Sequence, residues 1–121
     1  MGNSTKSETE YLGNATRLFS CAEEAWFWFI RCQRLRREGA RIAPANAGVQ
    51  RPCDPDDLYR AVVSLAREGR INRQQMNVLE RFGLLGRPPD ARCADESVAA
   101  RNWEHALAHL AVPLRRKGII E

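Results

Sequence analysis

Apolar residues recur every three or four positions in four segments of the chain, which is the spacing of amphipathic helices. The first segment predicts a long helix from near Thr16 to Glu38, with Gly39 as its C-terminal stop. Its main apolar face comprises Leu18, Ala22, Ala25, Phe29 and Cys32. The consecutive residues 26–30 (WFWFI) are all apolar, so they cannot all share that face. This helix is therefore expected at the centre of a bundle or at an interface with a partner.

The second predicted helix follows a long loop, residues 39–53, which is interrupted by proline and glycine. Asp54 can cap this helix, Pro55 suits its first position, and Gly69 ends it. Its apolar stripe comprises Leu58, Ala61, Val62 and Leu65. Because loops of this length are uncommon in small domains, the segment before Asp54 is expected to be functional or mobile.

The third helix is predicted to start after Asn72, whose side chain can form a capping box with Gln75. Gly83 and Gly86 mark its predicted end, ahead of the pair Pro88-Pro89. Its buried side comprises Met76, Leu79 and Phe82. Because only a few residues separate the second and third helices, we expect them to form a helix–turn–helix hairpin.

A fourth helix is predicted from Asp95 to about Ala111, where Pro113 ends or kinks it. Its apolar stripe comprises Val98, Ala99, Trp103, Ala106, Leu107 and Leu110. No segment of useful length alternates between apolar and polar residues, so no strand is expected. The predicted fold is all-α, a small bundle of four helices that includes a central helix–turn–helix hairpin. It is expected to form a single domain over residues 15–121, preceded by a disordered tail, residues 1–14.

The composition is that of an ordinary globular protein, with 121 residues of which 44% are hydrophobic and 28% charged. No apolar run approaches the roughly 18–20 residues that cross a bilayer. The first residues also lack the basic and apolar regions of a secretory signal, so a cytoplasmic protein without membrane contact is expected. In that compartment the four cysteines, none of which forms a C-x-x-C pair, are expected to be reduced core residues.

The net charge of +4 is concentrated in one segment, because residues 31–51 contain six arginines and only one acid, Glu38. Codon usage in a GC-rich genome would explain a preference for arginine over lysine, but not this clustering. One or two cations would also suffice to complement the helix dipole. A concentrated basic segment is typical of an anion-binding surface. The residues predicted to contact phosphates are Arg31, Arg34, Arg36, Arg37 and Arg41.

The fourth predicted helix carries polar side chains of the types that read base edges. The candidate base-reading residues are Arg101, Asn102 and His105. His105 and His109 also have the spacing of helical metal ligands, but no third ligand follows at a matching distance. Neither a nucleophile elbow nor a P-loop is present. The sequence therefore predicts no catalytic site, no metal site and no cofactor.

A further pattern spans residues 57–114. It comprises the apolar stripe of the second helix, the segment 74–79 (QQMNVL), and the segment Val98 to Leu110 with Trp103, Ala106 and Leu107. In this pattern the chain resembles the C-terminal helix–turn–helix region of sigma factors and related phage regulators. Where that family has another short helix before its recognition helix, this chain has residues 86–90 (GRPPD). The resemblance implies DNA binding and regulation of transcription.

Charge and resemblance together predict a non-enzymatic DNA-binding regulatory protein of bacterial or phage type. An RNA-associated protein would use the same charges, so the sequence does not separate RNA from DNA. The alternative is a helical protein–protein adaptor or a homodimerisation module that uses the aromatic first helix. The residues predicted for that partner interface are Trp26, Phe27, Trp28 and Ile30.

Overall fold

The computed structural model describes residues 17–39 and 51–121. The predicted tail, residues 1–14, lies outside the described residues, and so do Arg41 and most of the predicted loop. The described residues form an all-α bundle of four helices around a shared hydrophobic core, as predicted. The helices are α1 (Ala22–Arg37), α2 (Pro55–Arg67), α3 (Arg73–Leu85) and α4 (Ser97–Arg116). None of these helices is long and apolar enough to span a membrane.

The start of α1 lies later than predicted, at Ala22, because the residues before it are extended. The Phe19 N–H donates to the Ile119 carbonyl at 3.1 Å, and the Phe19 carbonyl accepts from the Glu121 N–H at 2.9 Å. Leu18, which was expected on the helical face, is exposed. Pairing with the distant C-terminus therefore replaces the helical conformation that the local pattern predicts.

Both predicted helix starts in the helix–turn–helix unit are confirmed. The Asp54 N–H donates to the Asp57 carboxylate at 2.9 Å, which completes one half of a capping box on α2. Before α3, the Asn72 side chain accepts from the Gln75 N–H at 2.8 Å, and the Gln75 side chain accepts from the Asn72 N–H at 2.9 Å. Although consecutive in sequence, α2 and α3 pack mainly on α1 and α4 rather than on each other.

The predicted end of α3 is confirmed at Gly86, which adopts a left-handed conformation with φ of +77°. Gly83, the other residue predicted to end this helix, instead lies buried inside it. The predicted end of α4 is wrong. Pro113 lies inside α4, which continues beyond it. The continuation buries Leu114 completely, and this burial offsets the backbone hydrogen bond that a proline cannot donate.

The first turns of α4 also differ from the prediction. A single 3₁₀ turn, Ala94–Glu96, precedes the helix, which therefore starts at Ser97. Val98, which was expected on the apolar stripe, is 61% exposed, whereas Ala100 is buried. The buried residues of α4 are Ala100, Trp103, Ala106, Leu110 and Leu114.

α1 packs on all three other helices, and its consecutive aromatic residues meet different parts of the chain. Trp26 is 2% exposed, and its indole N–H donates to a backbone carbonyl of α3 at 2.8 Å. The ring of Phe27 lies 5.5 Å from that of Trp103 on α4, and the ring of Trp28 lies 5.1 Å from that of Phe19. The bundle itself therefore covers much of the aromatic run.

Candidate functional site

The arginines of α1 project from its C-terminal half in several directions. Arg34 donates from Nη2 to the Leu84 carbonyl, in the last turn of α3, at 2.8 Å. Arg36 forms an ion pair with Asp56, in the first turn of α2, at 3.4 Å. These contacts connect α1 to both neighbouring helices, so two of the arginines predicted to bind phosphates already have partners within the chain.

The other arginines of the basic segment, residues 31–51, are not grouped at one place among the described residues. Arg31 and Arg37 are exposed, without a side-chain hydrogen bond or ion pair among the described residues. Arg41 lies outside the described residues. Arg51 donates to the backbone ahead of α1 at 3.3 Å, and its guanidinium lies 4.3 Å from the centre of the Phe19 ring. The basic segment therefore contributes to packing as well as to surface charge.

The residues predicted to read bases lie on α4. Arg101 and His105 are exposed, and Asn102 is half-buried beside them. Since the buried side of α4 faces the other three helices, Arg101 and His105 point away from the bundle. Arg34 and Arg37 instead line a groove to which α4 contributes no described residue. The two predicted groups are therefore on different surfaces.

A polar stripe on α3 was not identified from the sequence. Its members Arg73, Gln74, Asn77 and Arg81 are all exposed, and their spacing places them on one side of the helix. The first three have no side-chain hydrogen-bond partner among the described residues, and the Arg81 guanidinium lies 5.1 Å from the centre of the Phe82 ring. These residues could have been identified from the sequence, because they lie opposite the apolar side of a predicted helix.

α3 and α4 pack on each other more extensively than any other pair of described helices, and the stripe lies on the side of α3 away from its buried residues. Near the start of α4, Arg87 and the backbone N–H of Asp90 hydrogen-bond the Glu96 carboxylate and lower its pKa to about 2. Arg81 of α3 makes a weaker electrostatic contribution to the same shift. The C-terminal half of α3 therefore lies beside the N-terminus of α4.

At the opposite end of the pair, a polar cleft of about 420 Å³ lies between α2, α4 and the turn before α3. Its cationic residues are Arg70, Arg116 and Lys117, and Ser64 and His109 also line it. Arg70 forms an exposed ion pair with Glu68 at 3.1 Å, an interaction of a kind that contributes little to stability. We call eleven exposed or half-buried polar side chains of the two helices and this cleft the α3–α4 face. It comprises Arg70, Arg73, Gln74, Asn77, Arg81, Arg101, Asn102, His105, His109, Arg116 and Lys117.

The four residues predicted for a partner interface do not form one surface. Trp26 belongs to the core, and Phe27 and Trp28 are half-buried against other parts of the chain. The prediction that Trp26 belongs to a partner interface is therefore wrong, because the bundle itself buries this side chain. Ile30 is half-buried and lines an apolar groove between α1, α2 and α3, with a volume of about 860 Å³.

Two of the cysteines are packed rather than reactive. Burial raises the pKa of the Cys32 thiol, and it raises the pKa of Cys53 to about 12, so both are protonated at neutral pH. Cys21 and Cys93 are exposed, contrary to the expectation that all four fill the core. Residues 17–39 and 51–121 contain no group of three or more histidine, cysteine, aspartate or glutamate side chains that could hold a metal ion.

Comparison with known proteins assigns no family to this bundle. No family model matches the chain, and neither a curated protein nor a solved structure matches it. Function is therefore inferred from the surfaces described above.

Proposed function

We propose that this chain is a non-enzymatic DNA-binding regulatory protein of bacterial or phage type, and that it contacts duplex DNA through the α3–α4 face. The observation that carries the proposal is the stripe Arg73, Gln74, Asn77 and Arg81 on the second helix of a helix–turn–helix unit. The resemblance of residues 57–114 to the helix–turn–helix region of sigma factors supports the same assignment.

The dimensions of the stripe suit a helix lying in the major groove. Arg73 and Arg81 are eight residues apart, which corresponds to about 12 Å along the helix axis. The major groove of B-DNA is about 12 Å wide, which matches the diameter of about 10–12 Å of an α-helix lying along it. Between the two arginines, Gln74 and Asn77 carry amide groups that can form paired hydrogen bonds with adenine. Arginine and amide side chains on one helix thus combine phosphate contact with base reading.

The polar cleft at the end of the face supplies further cations for the phosphate backbone. Arg70, Arg116 and Lys117 come from the turn before α3 and from the end of α4. Phosphate contacts of this kind set the position and orientation of a protein on the duplex. On α4, we assign to Arg101, Asn102 and His105 the base-reading role that the sequence predicts.

Binding without catalysis is supported by the chemistry of the described residues. The raised pKa values of Cys32 and Cys53 oppose formation of a thiolate nucleophile. Glu96, the carboxyl whose pKa is lowered to about 2, is held by Arg87 and is therefore unsuited to accept a proton at neutral pH.

The test is fluorescence anisotropy of a labelled duplex at about 50 and 200 mM salt with two charge-matched variants. One variant carries Arg73→Glu and Arg81→Glu on the proposed face. The other carries Arg31→Glu and Arg37→Glu on α1, which changes the net charge equally. We expect the α3 variant to lose at least tenfold in affinity and to reduce the slope of log K against log salt by about two. The α1 variant should lose less than threefold.

Equal losses in the two variants would show that net charge, rather than the α3–α4 face, determines binding. Absence of binding by the unmodified chain at low salt would refute the proposal altogether. Single-stranded RNA and duplex RNA serve as competitors. Preferential binding of either would show that RNA, rather than DNA, is the ligand. Asn77→Ala and Asn102→Ala then test base reading, since each should weaken binding to a preferred sequence more than binding to random duplex.

A further inference from the structure

A second surface of the bundle, distinct from the α3–α4 face, is an apolar groove that could bind an apolar ligand. The groove of about 860 Å³ lies between α1, α2 and α3, and none of the described residues that line it belongs to α4. From this groove we infer that the protein docks an amphipathic helix of a partner protein, with an apolar face and carboxylates along its flanks. The inference is independent of DNA binding.

The groove has the length and direction that a helix requires. Its lining residues on α1 extend from Trp26 to Arg37, which corresponds to about 16 Å or three helical turns. The ion pair between Arg36 and Asp56 joins the end of α1 to the start of α2, and residues of both helices line the groove. On the other side α3 accompanies α1, since Arg34 reaches the Leu84 carbonyl and Trp26 reaches the Leu79 carbonyl. Helix-in-groove recognition uses such an elongated apolar channel.

The apolar residues of the groove are left partly open by the chain. Tyr59 on α2 is 56% exposed and Leu84 on α3 is 47% exposed. Ile30, Val63 and Met76 are half-buried in the same groove. These side chains come from three helices and form a concave surface, which distinguishes them from isolated exposed apolar residues such as those on α4.

Charge on the rim favours an acidic partner. Three arginines, Arg34, Arg37 and Arg67, line the groove together with two glutamates, Glu38 and Glu80. Among residues 17–39 and 51–121, neither Arg37 and Arg67 nor Glu38 and Glu80 have an ion-pair partner, so the charges that line the groove sum to +1. Arg37 ends α1 next to the start of α2, whereas Arg67 ends α2, about 16 Å along that helix from Asp56. Carboxylates on both flanks of a docked helix would pair with them, and the net charge of +4 would attract such a partner.

The experiment uses the full chain and two synthetic helical peptides of about 18 residues, in which leucine recurs at helical spacing. One peptide has glutamate on its flanks and the other has lysine. Binding is followed by anisotropy of the labelled peptides, and folding of every variant is checked by circular dichroism and thermal melting. Leu84→Glu tests the groove. Leu85→Glu is its matched control, since Leu85 is 55% exposed on the same helix but does not line the groove.

We expect the glutamate-flanked peptide to bind at least tenfold more tightly than the lysine-flanked peptide. Leu84→Glu should weaken that binding at least tenfold, whereas Leu85→Glu should change it less than twofold. The double variant Arg37→Glu and Arg67→Glu should abolish or reverse the preference between the peptides. Equal binding of the two peptides, or equal losses in the two leucine variants, would overturn the inference.

A second copy of the chain is the competing occupant. Sedimentation that shows a concentration-dependent dimer, lost in Leu84→Glu and kept in Leu85→Glu, would assign the groove to self-association and overturn the assignment to a partner helix. A monomer over the micromolar range, combined with peptide binding, would support it.

Discussion

Gly83→Ala is expected to destabilise the bundle, although alanine is the better helix former. Gly83 lies where α3 crosses α1, and a Cβ atom there would come within 2.9 Å of both Ile30 Cγ1 and Trp26 Nε1. The indole nitrogen is itself engaged, because it donates to the Leu79 carbonyl at 2.8 Å. Neither neighbour is the far end of a flexible side chain, so the two helices must separate or the indole must turn.

The expected loss follows from three opposing contributions. Replacing glycine in a helix interior gains about 1 kcal/mol. Overpacking a tight core costs about 1–3 kcal/mol, and a weakened buried hydrogen bond costs about 1 kcal/mol more. The free energy of unfolding should therefore fall by about 1–3 kcal/mol. In urea unfolding followed by circular dichroism, this fall appears as a lower urea concentration at the midpoint of the transition.

A double-mutant cycle with Ile30→Ala tests the stated cause. If the new methyl group collides with the Ile30 side chain, Gly83→Ala should cost less in the Ile30→Ala background, with a coupling energy of at least about 0.5 kcal/mol. If the losses in free energy of unfolding caused by the two substitutions simply added, the steric argument would be refuted. An increase in stability for Gly83→Ala alone would show that helix propensity outweighs the contact.

Two further predictions concern local contacts. The Glu96 carboxylate, whose pKa is lowered from 4.5 to about 2 chiefly by Arg87, stabilises the fold above pH 4.5, and this contribution is lost as the pH falls from 4.5 towards 2. The free energy of unfolding, measured across that range, should therefore depend less on pH in Glu96→Gln than in the unmodified chain. An unchanged dependence on pH would contradict the assignment. Asn72→Ala removes the acceptor for the Gln75 N–H and should cost about 1 kcal/mol in urea unfolding. Asn77→Ala, on the exposed side of the same helix, is the control and should cost little; equal losses would exclude a capping effect.

Local chemistry was sufficient to predict the starts of α2 and α3. Asp54 and Asn72 each form a hydrogen bond of a capping box with a residue only three positions away, so the relevant interaction energy is contained in a few consecutive residues. The apolar stripes of these helices were predictable for the same reason, since helical periodicity places residues three or four apart on one face. Leu58 and Leu79, at the centres of those stripes, are fully buried.

Features that depend on distant residues were not predictable. Phe19 leaves the helical pattern because it pairs with the backbone beside Ile120, about a hundred residues away. Pro113 is retained inside α4 because Leu114 reaches the core one residue later. Gly83 reads as a helix end in the sequence, whereas in the bundle its missing side chain allows α1 to approach α3.

The same distinction between local patterns and distant contacts applies to the candidate surfaces. The sequence by itself determined that four amphipathic helices form and that arginine is concentrated between residues 31 and 51. Only the tertiary structure decided that Arg34 and Arg36 contact neighbouring helices, and that the stripe from Arg73 to Arg81 stays exposed. The physical reason is that periodicity specifies which residues share a face of one helix, while the packing of side chains between helices decides which faces become neighbours and which remain exposed.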